Sequence, residues 1–168
     1  MNLLETKRLI VKPTSLDNFE NVYALLSDPE VMRYVGRGVK TREETQENLE
    51  KMIRHQEKHG FSFGDVYEKD TGLFVGRAGL VYLEMKDDQP DIEVGYTLHK
   101  QFWKKGYATE LATAFLDWGF KHLPVNKLVA VIRPENEGSR RVLEKSAMHY
   151  VGRVNCYDTN VAKYEIFK

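Results

Sequence analysis

At 168 residues the chain has the length of one domain, read here as a single unit over residues 1–168, and can bury a core without metal or disulfide support. Its 25 Lys and Arg balance its 25 Asp and Glu, which excludes a general electrostatic pull toward nucleic acid or an anionic membrane, so any anion site must be local. The single cysteine, Cys156, excludes an intramolecular disulfide framework; with no basic-then-apolar leader and no apolar run of membrane-spanning length, a soluble cytoplasmic protein is expected.

In chain order, residues 9–12 read as a short strand ended by Pro13, and Phe19, Val22, Tyr23 and Leu26 then recur at helical spacing. Thr41 followed by Glu44 has the pattern of a capping box, and Leu49, Met52 and Ile53 supply one apolar stripe before Gly60 stops that helix. Residues 61–68, 73–84 and 92–98 are β-rich runs separated by Asp70-Thr71-Gly72 and by a polar stretch over 86–91, which predicts an antiparallel meander. A helix over 107–122 places Ala108, Leu111, Ala112, Phe115 and Gly119 on one face. It is followed by an apolar strand over 128–132, a short helix near 139–145 and strands near 150–157 and 162–167. The order is α+β.

Chemistry concentrates in residues 92–113, where a strand runs through a short connection into a helix. Gly95 inside the strand suggests a bulge or a close approach. In Trp103-Lys104-Lys105-Gly106-Tyr107-Ala108, a helix opening at this turn leaves backbone N–H groups without intrahelical partners. Those groups and the positive end of the helix dipole form an anion site. Gly106 and Ala108 let a diphosphate approach, and Lys104 and Lys105 add charge; the alternative is an ordinary turn with a solvated lysine pair.

Three ordered segments, 92–96 (IEVGY), 102–110 (FWKKGYATE) and 136–145 (NEGSRRVLEK), together resemble the GNAT superfamily of N-acetyltransferases, and among its branches the ribosomal-protein N-terminal acetyltransferases. Residues 5–10 (ETKRLI) and 28–32 (DPEVM) are similar to the opening segments of that branch, so the resemblance spans nearly the whole chain. It implies the GNAT fold: a mixed, mostly antiparallel central sheet flanked by helices and splayed between its fourth and fifth strands, here 92–98 and 128–132. Pantetheine would enter the gap and receive backbone hydrogen bonds from Tyr96, Thr97 and Leu98. Lys104, Lys105, Gly106, Tyr107, Ala108 and Thr109 would hold the pyrophosphate, and Asn136 and Ser139 would contact the cofactor arm. Trp103 stands where much of the superfamily has Gln or Arg, and Ala147 where a helix-stopping glycine is usual.

The implied activity is direct transfer of acetyl from acetyl-CoA to a primary amine, with a protein or peptide N-terminal α-amine as the acceptor that branch would use. Direct transfer needs a neutral amine, a stabilised oxyanion and a proton for the thiolate, and no metal. Glu93 is the candidate base through water, with a solvent-facing or Lys-paired carboxylate as the alternative. Many GNAT enzymes carry a Tyr acid at the position of Leu143; the ribosomal-protein branch implicates a Ser, matched here by Ser139, whose other reading is a helix N-terminal hydroxyl. The N–H near Leu98 is the expected oxyanion donor.

Weaker constellations are His55 and His59, read as surface histidines because Gln56 replaces the Glu of a zinc motif, and Cys156, read as an inert thiol. Tyr34 and Gly36-Arg37-Gly38 lie between the first two helices, where the family often shapes its acceptor pocket, with a plain connecting loop as the alternative. A noncatalytic acyl-CoA-binding module and a small-molecule amine acceptor such as a polyamine or aminoglycoside remain alternatives. A nucleotide-binding module fits poorly, since both G-x-G-x-x-G and the P-loop pattern are missing. Neither nucleic acid nor membrane is an expected partner, and a monomer or homodimer is expected.

Overall fold

The computed structural model describes all residues, 1–168. Eight strands form one sheet in the order β1-β2-β3-β4-β5-β6-β8-β7: β1 (Leu4–Glu5), β2 (Leu9–Pro13), β3 (Phe63–Glu68), β4 (Phe74–Tyr82), β5 (Ile92–Leu98), β6 (Lys127–Ile132), β7 (His149–Cys156) and β8 (Thr159–Phe167). Every neighbouring pair is antiparallel except β5 and β6. The helices are α1 (Phe19–Leu26), α2 (Arg42–His59), α3 (Tyr107–His122) and α4 (Glu137–Lys145). No helix is long and apolar enough to cross a membrane.

The expected meander is present as β3, β4 and β5. β3 starts two residues later than predicted; Phe61 and Ser62 precede the ladder, with the Phe61 carbonyl held by His55 Nδ1 at 2.7 Å. β4 ends at Tyr82 because Glu84 and Met85 take positive φ (both 59°), which a strand cannot hold. The two-residue β1 was not foreseen; at that length it has no periodicity to read.

Strand alternation fixes what each face of the sheet meets. Ala78 and Leu80 of β4 and Ile92, Val94 and Leu98 of β5 bury with Leu111, Ala112, Phe115 and Leu116 of α3 in the main core. On the opposite face, the buried Arg77 guanidinium donates to Asn48 of α2 at 2.6 Å and faces Asp65 of β3 at 3.6 Å. Burial lowers the pKa of Arg77 and raises that of Asp65, whose carboxylate also accepts from Asn18 at 2.9 Å. A second core, Val22, Leu25, Leu26 and Leu49 with Val31 and Met32, joins α1 to α2.

The ends of the helices follow from identifiable residues. The Thr41 hydroxyl accepts from the Glu44 N–H at 3.1 Å and the Glu44 carboxylate accepts from the Thr41 N–H at 2.9 Å, the reciprocal capping box that the sequence predicts. Gly60 ends α2 at φ 80°. His55 corrects its surface reading. It is buried, its Nδ1 lies 2.7 Å from the Phe61 carbonyl, and its Nε2 accepts from the Tyr82 N–H at 3.1 Å. That pattern requires the neutral Nδ1–H tautomer, joins α2 to β4, and leaves neither nitrogen for a metal.

α4 closes with a full Schellman motif: Met148 N–H donates to Leu143 O at 3.0 Å and Ala147 N–H to Glu144 O at 3.1 Å. Ala147 sits at φ 65°, the left-handed region that costs an L-residue about 1–2 kcal/mol. Ala147→Gly should therefore raise stability by about 1 kcal/mol in denaturant unfolding, with catalytic parameters unchanged; an unchanged midpoint would mean that the alanine is unstrained.

Candidate active site

β5 and β6 meet at one residue pair only, Glu93 with Val129, after which the strands part. The ladder shows which backbone groups face the opening. His99 N–H donates to Val75 O at 2.9 Å, and β4 and β5 keep one register from Gly76↔Leu98 to Tyr82↔Ile92. By the two-residue period, Glu93, Gly95 and Thr97 turn their N–H and C=O groups toward β4, while Tyr96 and Leu98 turn theirs toward the gap. The Leu98 carbonyl accepts from the Trp103 indole N–H at 2.9 Å, which leaves the Leu98 N–H and both polar groups of the Tyr96 peptide on the open edge. The backbone of Thr97 belongs to the β4 ladder. Gly95 lets the Phe63 ring pack closely over β5: a Cβ there would lie 2.5 Å from the ring and would displace it.

Beyond β5, Lys104 (φ 62°) and Gly106 (φ 80°) turn the chain into α3. The first helical bond runs from Glu110 N–H to Gly106 O at 3.0 Å, so the N–H groups of Tyr107, Ala108 and Thr109 have no intrahelical acceptor and project from the positive end of the helix. The turn is clamped from the N-terminal segment. Arg8 donates to Lys105 O at 2.8 Å and to Glu110 Oε2 at 2.7 Å, its guanidinium lies 4.5 Å from the Tyr107 ring centroid, and the Tyr107 hydroxyl donates to Glu68 at 2.5 Å. Lys104 and Lys105 are exposed, and the Lys105 ammonium rests 5.4 Å from the Phe102 ring. A cavity of about 570 Å³ along α3 includes Gly106 and Thr109, but Glu5, Glu110 and Asp117 also line it. Its Gly106 edge, with Lys145 on the α4 side, suits an anion.

Glu93 lies at the floor of the gap, 7% exposed, on the face opposite α3. This is neither a solvent-facing nor a Lys-paired carboxylate. Burial pushes its pKa up to about 7; a hydrogen bond from the Tyr157 hydroxyl opposes the rise, and the nearby Glu84 adds to it. Tyr157 also accepts from the Glu84 N–H at 3.0 Å and donates its own N–H to Glu84 Oε2 at 3.1 Å. Glu84 (φ 59°) and Tyr157 and Asp158 (φ 53° and 58°) all hold left-handed backbone, so two strained turns lock together beside the carboxyl. The loop over 36–38 reaches the same rim: Arg37 pairs with Asp158 at 2.7 Å, and Gly36 O accepts from Arg133 at 2.6 Å.

α4 brings in the other side. Asn136 caps the helix by accepting from the Ser139 N–H at 3.2 Å, so the side chain of Ser139 is not the cap. Tyr96, on the α3 face of β5, packs against the main core with its hydroxyl buried and without a hydrogen-bond partner. The Ser139 hydroxyl stands beside it and opposes the upward push that burial gives the Tyr96 phenol, yet the two hydroxyls fall short of hydrogen-bond geometry. Sequence reasoning missed Arg8, Glu84 and Tyr157. Arg8 and Glu110 are 102 residues apart and Tyr157 and Glu93 are 64 apart, and no local pattern signals either pair. Cys156 is a buried free thiol whose pKa is raised by burial.

This geometry can be set beside known proteins. The family model described as "Acetyltransferase (GNAT) domain" matches residues 8–149. The uncharacterized protein YkkB of Bacillus subtilis is 36% identical over 141 residues, 84% of this chain and 81% of that protein. The uncharacterized N-acetyltransferase YoaA of the same organism is 31% identical over 99% of this chain and 97% of its own length. A GNAT-family acetyltransferase structure from Bacillus anthracis superposes with a TM-score of 0.82 at 26% identity, covering 98% of this chain and 97% of that one. The same fold, at 13% and 18% identity, carries the ribosomal L7/L12 α-N-protein acetyltransferase RimL and the aminoglycoside acetyltransferase AAC(6')-Ib, both in complex with coenzyme A. A sheet parted beside a helix N-terminus, matched by a family model over most of the chain, has one reading: the protein is an acetyltransferase and belongs to the GNAT family.

Proposed function

We propose that the chain transfers acetyl from acetyl-CoA to the α-amine of a protein or peptide N-terminus, with Glu93 as the base and Ser139 at the departing sulfur. The observation that carries this reading is the arrangement across the gap: Glu93 on one face of the sheet, Ser139 and Tyr96 on the other. An amine arriving from the Glu93 face can attack through the opening while the sulfur leaves toward α4. The open-edge N–H groups of Tyr96 and Leu98 suit the pantetheine and the developing oxyanion, and the amides of Tyr107, Ala108 and Thr109 suit the pyrophosphate. Acetyl-CoA supplies the activated acyl group. The protein orients it and manages the protons.

The character of the base favours an α-amine. A carboxylate with a pKa of about 7 takes a proton from an α-ammonium (about 7.7–8.0) with less than about 1.4 kcal/mol of opposition. For an alkylammonium near 10.4 the opposition is over about 4 kcal/mol. A polyamine or aminoglycoside acceptor is the competing reading. Saturating acetyl-CoA should raise the thermal midpoint by binding the folded state, and NAD should not. In a screen of N-terminal peptides, polyamines and aminoglycosides, the peptides should give the highest kcat/KM. The absence of any shift with acetyl-CoA would overturn the cofactor assignment, and faster turnover of a polyamine or aminoglycoside would overturn the acceptor.

A further inference from the structure

We propose that the Tyr96 hydroxyl is a catalytic group that donates a hydrogen bond, alongside Ser139, to the sulfur of acetyl-CoA as the thioester breaks. The inference deepens the acetyl-transfer reading and rests on it. Its starting point is an anomaly. A buried hydroxyl without a partner is destabilising, and a chain that needed only packing here could carry Phe without that penalty. Tyr96 keeps its hydroxyl buried and unpartnered, directed to the face of the gap where Ser139 stands at the start of α4. Its own peptide N–H and C=O lie on the open edge of β5, while its ring packs against the main core on the α3 face of the same strand. Leu143, the α4 position at which a Tyr acid would be expected, is 1% exposed and part of the main core, so α4 offers only the Ser139 hydroxyl there. A tyrosine entering from β5 supplies the second donor.

The chemistry selects a hydrogen-bond donor over a full acid. Burial pushes the Tyr96 phenol up to about 12, whereas a thiol lies near 8.5, so complete proton transfer from phenol to thiolate would run uphill by over about three units. In the step proposed, the C–N bond forms as the C–S bond breaks and the C–S electron pair passes to sulfur. The Tyr96 proton stays on oxygen and is shared with that pair. The proton shed by the new amide nitrogen reaches the thiolate through solvent, and the proton earlier taken by Glu93 returns to solvent.

An orphaned hydroxyl makes an unusual demand on its deletion, namely that stability and activity should separate. Tyr96→Phe should unfold at the same or a higher temperature than wild type and bind CoA within about twofold, yet lose tenfold or more in kcat. Ser139→Ala should lose kcat as well, and the double variant should lose less than the product of the two, since both hydroxyls serve one sulfur. The thiolate absorbance of bound CoA, titrated against pH, should move to higher pH in Tyr96→Phe, a signature that packing alone would not change. Unchanged kcat with an unchanged thiolate titration would overturn the proposal, as would a kcat loss explained by an equal loss of folded protein. Should wild type turn over no amine, the acetyl-transfer reading fails by itself, and the CoA titration still decides the contact between Tyr96 and sulfur.

Discussion

Glu93→Gln should lower kcat at neutral pH by about 10²-fold, the low end of what a positioned base contributes, and should at the same time make the protein more stable in alkali. As a base, Glu93 works only when ionised, so the wild-type rate should climb with pH through about 7. The variant should lack that limb, so its deficit should widen through about pH 7 and shrink only above the pKa of the acceptor, where the amine arrives neutral without a base. The stability effect has the opposite sense. The folded protein holds a proton on Glu93 up to about pH 7, while the unfolded chain gives it up near 4.5. The stabilisation is complete below the lower value and is lost as pH rises through the upper one. Gln carries no such proton, so at pH 8 the variant should be more stable by up to about 3 kcal/mol, with no difference at pH 4. Chemical denaturation at the two pH values checks this, and a flat difference would remove the buried acid from the account.

The groups that set this behaviour are few. Tyr157 and Cys156 face Glu93 from the β7–β8 hairpin and Glu84 faces it from the turn after β4, while the residues opposite in β4 and β6 are the uncharged Val81 and Val129. The hydrogen bond from Tyr157 holds the carboxyl below where burial alone would place it. Tyr157→Phe is therefore the companion variant, and it should move the rising limb to higher pH.

Legibility in the sequence followed the range of the interactions. Thr41 and Glu44, three residues apart, announced their cap, and Gly106 announced the start of α3, because each signal is local. The apolar rows of β5 and α3 were readable by period and β4 by its β-rich composition, and their order with the three GNAT-like segments pointed to the fold. What the sequence withheld was long-range or a matter of register. The clamp of Arg8 on Glu110, the lock of Tyr157 on Glu84 and Glu93, and the buried Arg77 beside Asp65 join segments that fold close only together. Similarly, Tyr96, Thr97 and Leu98 looked equivalent as backbone donors. Only the position of the β4 ladder separates the two that face the gap from the one that does not. His55 was misread because its partners, a carbonyl six residues on and an amide in β4, are backbone groups that carry no residue signature.

The anion turn permits a test in which conformation and charge are varied separately. Gly106 holds φ 80°, a region that Asn and Asp tolerate about equally and other L-residues resist. Gly106→Asn and Gly106→Asp are thus nearly isosteric and share the same backbone cost, which leaves the carboxylate as the difference between them. A Cβ here meets only the Arg8 Nη2 at 3.4 Å, so both side chains fit. A carboxylate about 5 Å from one phosphate charge, at an effective dielectric near 20, is opposed by about 3 kcal/mol, which corresponds to about 10²-fold. The Arg8 guanidinium is already engaged by Glu110 and the Lys105 carbonyl, so it can offset only part of that. The Asp variant should therefore raise the Kd for CoA by tens of fold to about 10²-fold, and the Asn variant by a few fold. The penalty of Asp over Asn should disappear for a pantetheine thioester without the diphosphate. Equal affinities of the two variants for CoA would place the pyrophosphate elsewhere, and a penalty that persisted with the truncated thioester would assign the effect to the turn itself.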